Sequence, residues 1–130
     1  MIVVDASALL PALLDVGAAG ALARERLLAH DLHVPELADV EVLSAVRRQV
    51  LAGALTPGRG AQALEDYAAL HLERYPHLPL LPRAWQLRDA VSAYDAQYVA
   101  LAELLGVALV TADARLSRAP GVRCEVDLLQ

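Results

Sequence analysis

The chain has 130 residues, a length typical of one domain with its own hydrophobic core, so we predict a single domain over residues 1–130. Its apolar fraction is 57 %, but no apolar stretch reaches the roughly 18 residues that a membrane-spanning helix needs. The net charge of −5 is opposite to the positive charge by which proteins usually grip nucleic acid. Chemistry on phosphates would therefore require a bound cation or a local group of arginines.

The single cysteine, Cys124, excludes an internal disulfide and a cysteine-based zinc site. The N-terminus shows no basic segment before its first apolar run, which Asp5 interrupts, so a signal peptide is not indicated. Together these features predict a cytoplasmic protein with no membrane attachment. All eleven basic residues are arginines, whose forked side chain suits contacts with carboxylates and phosphates.

Short apolar segments alternate along the chain with segments of helical periodicity. The pattern predicts strands at residues 2–4, 33–35, 78–81, 107–111 and 122–126. It predicts helices at residues 6–14, 18–29, 36–51, 57–72 (capped by Thr56), 83–91, 93–105 and 114–119. Because the clearer strands are apolar throughout, the pattern predicts an α/β fold of three layers (α/β/α) around a mostly parallel sheet of about five strands.

Two predicted strands end in an aspartate. Asp5 follows the apolar residues 2–4, and Asp113 follows the similar segment Val-Ala-Leu-Val-Thr-Ala at residues 107–112. In a parallel sheet the functional crevice lies beyond the carboxyl ends of the strands, which is where both side chains are expected. The alternative interpretation of Asp5 is a helix N-cap, together with Ser7.

Asp95 shares one face of its predicted helix with apolar residues. Tyr98, Val99 and Ala102 stand three, four and seven positions after it. A carboxylate beside a packing face requires a hydrogen-bonding or charged partner, or has a function. The alternative interpretation is that Asp95 caps the start of the helix.

The predicted helix at residues 36–51 carries a further acid, Glu41. Residues at helical spacing predict the face that packs on the core: Val40, Leu43, Val46 and Val50. Glu41 lies nearly opposite them, which favours a solvated position, but the neighbouring Ala38 and Ala45 leave open that another element covers this side.

Four carboxylates in one pocket repel one another, and this repulsion raises their pKa values. A divalent cation relieves the repulsion, and oxygen ligands without nitrogen or sulfur favour Mg²⁺ or Mn²⁺ over Zn²⁺. Such a cation also attracts substrate phosphates, which would reconcile an acidic chain with action on nucleic acid.

The combination of four sequence blocks resembles the PIN-domain family, and in particular the VapC ribonuclease toxins of bacterial toxin–antitoxin pairs. The blocks are V-V-D-A-S-A-L-L, P-E-L-A-D-V-E-V-L-S-A-V-R-R, S-A-Y-D-A-Q-Y-V-A-L-A and L-V-T-A-D-A-R-L. They cover nearly the whole chain and occur in the order of the family. The resemblance implies that an acidic quartet holds Mg²⁺ or Mn²⁺: Asp5, Glu41, Asp95 and Asp113. It is the resemblance, not the spacing, that places Glu41 in this set.

The resemblance also implies polar neighbours, partners and an activity. Ser7 and Thr111 match small hydroxyl residues near the quartet, whereas Ser44 stands where many relatives have asparagine. The implied activity is endonucleolytic cleavage of RNA by a metal-activated water, with Glu41 holding metal or orienting the water. The implied partners are a VapB-type antitoxin and a second copy of the chain.

Arginines near these blocks are candidates for guiding RNA, with ordinary surface roles as the alternative: Arg47, Arg48, Arg83, Arg115 and Arg118. A phosphorelay receiver is disfavoured because the chain has no lysine, and a Rossmann module because Ala6-Ser7-Ala8 offers no glycine-rich turn. Two other functions stay open, a housekeeping PIN nuclease for RNA processing and a catalytically silent PIN-like binding module.

Overall fold

The computed structural model describes residues 1–130. Its strands are β1 (Ile2–Val4), β2 (Leu32–Pro35), β3 (Leu72–Tyr75), β4 (Leu109–Thr111) and β5 (Val126–Leu128). Its helices are α1 (Ala6–Leu14), α2 (Ala18–Leu28), α3 (Ala38–Leu51), α4 (Pro57–Ala69), α5 (Leu81–Gln86), α6 (Ala93–Leu105) and α7 (Ala114–Ser117). A 3₁₀ turn, Leu78–Leu80, precedes α5.

The five strands form one sheet in the order β3-β2-β1-β4-β5, and every neighbouring pair is parallel. The chain therefore builds outward from β1 in one direction and then crosses back to add β4 and β5 on the other side. Because such crossovers are right-handed, α1 to α4 cover one face of the sheet and α5 to α7 the other. This arrangement confirms the predicted α/β/α class with a parallel five-stranded sheet.

The core lies on both faces of the central strands. Val3, Val4 and Leu109 have no exposed surface, and α6 packs over them with a continuous run of buried residues from Ala96 to Ala102. The predicted packing face of this helix is confirmed, because Tyr98, Val99 and Ala102 are all buried. No helix of the structure combines the length and the apolar character needed to cross a membrane.

The predicted strand at residues 78–81 is wrong. Pro79 and Pro82 each stand in the first turn of a short helical segment, a position that proline favours. The third strand is instead Leu72–Tyr75, which pairs with β2 at the edge of the sheet. Its polar centre, Glu73 and Arg74, is exposed, so it lacks the apolar run by which a buried strand is recognised.

Two smaller predictions also shift. The last strand was expected at residues 122–126, but the pairing with β4 begins only at Val126. On α3 the residues expected in the core are partly on the surface, since Val40 is 66 % and Leu43 50 % exposed. The face that is buried contains Ala38, Val42, Ala45 and Val46.

Candidate active site

Asp5 and Asp113 lie at the carboxyl edge of the sheet, on the two central strands where the order of the chain reverses. Asp5 directly follows β1, Asp113 comes two residues after β4, and these strands are neighbours. In open α/β sheets the crevice at this reversal is the usual place of ligand binding. The topology therefore brings together two acids that are far apart in the sequence.

Asp5 is held by three hydrogen bonds. Ser7 Oγ donates to its Oδ1 at 2.6 Å, Thr111 Oγ1 donates to its Oδ2 at 2.7 Å, and the Ala8 N–H donates to Oδ1 at 3.3 Å. The last bond makes Asp5 the N-cap of α1, so the capping interpretation is correct as well. Ser7 Oγ also accepts from the Ala112 N–H at 3.0 Å. The two hydroxyl residues thus join the ends of β1 and β4 around one carboxylate that is only 5 % exposed.

Glu41 and Tyr98 connect the two helical layers above this edge. Glu41 comes from α3, and the hydroxyl of Tyr98 on α6 donates to its Oε1 at 2.5 Å. This contact is not predicted by the sequence pattern. One feature of the sequence could have indicated a polar contact of Tyr98. Tyr98 stands one helical turn after Asp95 on the packing face, and a buried phenol requires a hydrogen-bond partner.

Asp95 stands in the first turn of α6, in the layer opposite Glu41. The cap of this helix is Ser92, whose Oγ accepts from the Asp95 N–H at 3.1 Å, so the capping interpretation of Asp95 is wrong. The carboxylate of Asp95 forms no ion pair, and the nearby Ser92 hydroxyl and Arg115 offset only part of the effect of burial and of the charge of Asp113. Asp95 is thus a half-buried acid without an ion-pair partner in the chain.

Asp113 differs from the other three because it is paired with an arginine. Arg115 Nε and NH2 donate to its Oδ1 and Oδ2 at 3.1 and 2.8 Å. The Arg115 N–H adds a bond to Oδ1 at 2.9 Å, which makes Asp113 the N-cap of α7. The bond from the Arg115 guanidinium lowers the pKa of Asp113 below its usual value.

The other three carboxyl groups have raised pKa values. Burial is the main cause for each of them, and it outweighs the hydrogen bonds that Asp5 and Glu41 accept. Repulsion adds to burial, since Asp95 acts on Asp5 and Glu41, and Asp113 acts on Asp95. The four acids are therefore linked by electrostatic repulsion between like charges.

The donor set fits a hard divalent cation. It consists of carboxylate oxygens, of which Glu41 Oε2 has no hydrogen-bond partner and those of Asp95 form no ion pair. Apart from Arg115, no basic side chain forms an ion pair with any of the four acids. No three acidic, histidine or cysteine side chains are gathered tightly enough to form a finished metal site, so binding would require the carboxylates to rotate toward a shared ion.

The remaining predicted residues lie further along α3. Ser44 is exposed, and its hydroxyl accepts a weak hydrogen bond from Arg48 NH1 at 3.4 Å rather than contacting an acid. Arg48 stands on the same side of the helix as Glu41, two turns later. Arg47 lines an apolar groove between α3 and α4.

Comparison with known proteins gives one family. The model of the PIN domain matches residues 2–122. Ribonuclease VapC9 of Mycobacterium tuberculosis is 46 % identical over 129 residues, which cover 99 % of this chain and 98 % of the relative.

Solved structures with the same fold are more distant in sequence. VapC20 of Mycobacterium tuberculosis, described as a sarcin–ricin loop cleaving toxin, superposes with a TM-score of 0.72 at 14 % identity, covering 95 % of this chain and 97 % of that one. DNA-bound VapBC of Salmonella typhimurium gives a TM-score of 0.68 at 16 % identity, with 96 % of both chains covered.

Proposed function

Because the chain belongs to the PIN-domain family, among its VapC ribonucleases, we propose that it is a Mg²⁺- or Mn²⁺-dependent endoribonuclease and the toxin of a toxin–antitoxin pair. One observation carries the proposal of a metal site. Asp5, Glu41 and Asp95 have raised pKa values to which repulsion within the group of four acids contributes, and none of these three forms an ion pair with a basic side chain. A bound cation would relieve this repulsion at neutral pH.

Each acid has a role that follows from its contacts. Asp5, Asp95 and Asp113 would hold the cation, and Ser7 and Thr111 keep Asp5 in place for it. When bound, the cation supplies a water of lowered pKa and positive charge for the scissile phosphate.

Glu41 would complete the cation's coordination or orient the attacking water. Tyr98 fixes Oε1 of Glu41 and leaves Oε2 free for either task. Ser44 lies apart from these contacts, so we assign it no direct part in them.

RNA as the substrate follows the names of the relatives. We infer that Arg115, which pairs with Asp113, and the exposed Arg47 and Arg48 on the helix of Glu41 attract the backbone of a bound strand. The cytoplasm is the expected location, because it holds the RNA.

A VapB-type antitoxin and a second copy of the chain are the proposed partners, in a homodimer and a toxin–antitoxin hetero-oligomer. The structure of a VapBC complex with the same fold supports the first. Large apolar side chains on the surface support both, because exposed apolar surface is typical of protein interfaces: Val40, Leu43, Leu51, Leu78, Leu81 and Trp85.

The test compares metal removal with two matched variants. The purified chain should cut total cellular RNA with Mn²⁺, stop in EDTA and recover when Mn²⁺ is restored, and its induction should arrest growth. Asp95→Asn should abolish both effects, whereas Asp39→Asn, which changes a first-turn acid of α3 that pairs with Arg74, should abolish neither.

Cleavage that persists in EDTA would refute the metal site. A chain that neither cuts RNA nor arrests growth would favour the silent binding module. Cleavage without growth arrest, and without a neighbouring gene for an antitoxin, would favour a housekeeping nuclease.

A further inference from the structure

Arg115 is the one basic residue that lines the cleft in front of Asp95 and Asp113. This cleft has a volume of about 270 Å³ and is otherwise bordered by neutral residues such as Ser92 and Leu116. Arg115 therefore meets any ion or phosphate that enters from this side.

The guanidinium of Arg115 uses both oxygens of Asp113. The contacts are Nε to Oδ1 and NH2 to Oδ2, a forked pair that takes up the lone pairs facing the arginine. A divalent cation needs lone pairs of the same carboxylate, and it repels the positive guanidinium at contact distance. The forked pair and a cation on Asp113 therefore compete.

The side chain of Arg115 is free to leave. It is 82 % exposed, and its guanidinium has no partner other than Asp113. Arg83 shows the opposite case, because it is 19 % exposed and is held by Glu103, Gln86 and the carbonyl of Gly121. Arg83 is fixed in the fold. Arg115 forms an exposed ion pair, so replacing Asp113 by another anion costs little free energy.

We propose that Arg115 has two positions: it pairs with Asp113 in the metal-free chain, and a cation that takes this carboxylate releases it to bind a phosphate in the same cleft. The proposal rests on the proposed function. In this proposal Arg115 neutralises Asp113 before the metal ion binds. After the metal ion binds, Arg115 contacts a phosphate of the substrate.

The chemistry of the cleft supports the second position. The chain is acidic and has no lysine, so few groups near the acids are able to receive the negative charge of a strand. The fork of an arginine matches two phosphate oxygens as well as it matches a carboxylate. Arg115 already lines the cleft while it is paired with Asp113, and from there it partly offsets the charge of Asp95.

The first experiment measures Mn²⁺ binding to the full chain by calorimetry, without RNA. Arg115→Gln should bind Mn²⁺ about two- to five-fold more tightly than the wild type, the factor that an exposed ion pair is worth. Arg118→Gln is the matched control, because it removes the same charge from the end of the same helix without a hydrogen bond to Asp113. It should change the affinity less than Arg115→Gln does.

The second experiment measures the binding of inorganic phosphate to the Mg²⁺-loaded chain. Arg115→Gln should weaken it about tenfold, the loss of one charge-assisted forked contact. Arg115→Lys should restore part of the affinity, because it keeps the charge but not the fork. Nitrogen NMR of the Arg115 side chain should shift when Mg²⁺ alone is added, which reports the release directly.

Two results would overturn the inference while the proposed function stands. In one, both glutamine variants change Mn²⁺ affinity equally. In the other, Arg115→Gln binds Mn²⁺ more weakly, so that the arginine helps to shape the site. A wild-type chain that binds no Mn²⁺ at millimolar concentration would instead refute the metal site and the inference together.

Discussion

The two ends of α6 carry acids in opposite electrostatic settings. At its C-terminal end Glu103 accepts a forked pair from Arg83 and a hydrogen bond from the Arg123 N–H, and although burial raises the pKa of Glu103, these bonds outweigh burial and lower it. At its N-terminal end Asp95 has no ion-pair partner, and burial and the charge of Asp113 raise its pKa although a helix N-terminus favours negative charge.

The difference separates an acid that is compensated within the fold from acids that are not. Glu103 is compensated within the chain, so its charge ties α6 to the segment of Gly121 and Arg123. Asp95, Asp5 and Glu41 have raised pKa values from burial and from one another's charge, as expected for the proposed metal site. The following variants test whether the two ends of α6 separate in this way.

The largest effect is expected for Asp5→Asn at the uncompensated end. If Asp5 is a metal ligand, as proposed, its loss should reduce RNA cleavage about a thousandfold, since a catalytic metal contributes several kcal/mol. The asparagine keeps the shape of the side chain, and circular dichroism should show an unchanged fold. Residual cleavage above a tenth of the wild-type rate would contradict the central role of Asp5.

At the compensated end, Glu103→Gln should lower the free energy of unfolding by about 2 kcal/mol, because it leaves the poorly exposed Arg83 without its counter-charge. Cleavage by the folded molecules should stay at the wild-type rate. Urea denaturation measures the first quantity, and a cleavage assay below the unfolding transition measures the second. If Glu103→Gln lost cleavage activity without losing stability, the proposed difference between the two ends of α6 would be wrong.

Tyr98→Phe tests the link between the layers. Glu41 loses its hydrogen bond, so cleavage should fall about tenfold, an effect in the range of a single positioning contact. Stability should fall by about 1 kcal/mol for the lost hydrogen bond. If cleavage is unchanged while stability falls, Tyr98 is a core residue only, as the sequence suggested.

The smallest effect concerns the stability of the metal-free chain. Asp95→Asn in EDTA should raise the free energy of unfolding by up to about 1 kcal/mol at pH 7, because Asp95 is half exposed and solvent screens its repulsion. The pKa of Asp95 is raised in the folded chain, so its penalty is present at neutral pH and disappears as the pH falls through the folded pKa toward the unfolded value of 3.8. The gain from Asp95→Asn should shrink in the same way. Thermal melts of both proteins from pH 7 downward measure this difference in stability. A difference that grows toward low pH would contradict the raised pKa of Asp95.

The sequence predicts the parts of the fold in which local pattern and tertiary environment agree. Buried strands such as Ile2–Val4 and the apolar face of α6 are of this kind. The edge strand Leu72–Tyr75 was not predicted, because it is half exposed and depends on pairing with β2, which leaves no local signal.

For the site, two acids follow from their position after apolar strands, Asp5 and Asp113. Glu41 follows only from the family resemblance, since its own helix suggests a solvated face. The contact between Glu41 and Tyr98 could not be predicted, because it depends on how two helices from opposite layers meet across the end of the sheet. Contacts between residues that are distant in the chain can be identified only from the tertiary structure.

The hydrogen bond from Thr111 to Asp5 has a consequence for synthesis on the ribosome. It joins the first strand to the fourth, so a growing polypeptide whose Thr111 is still inside the exit tunnel lacks one of the groups that hold Asp5. β1 also gains its neighbour β4 only once β4 has left the tunnel. The environment of Asp5 is therefore incomplete until that point of synthesis, and a shorter nascent chain should have no cleavage activity toward the messenger that is producing it.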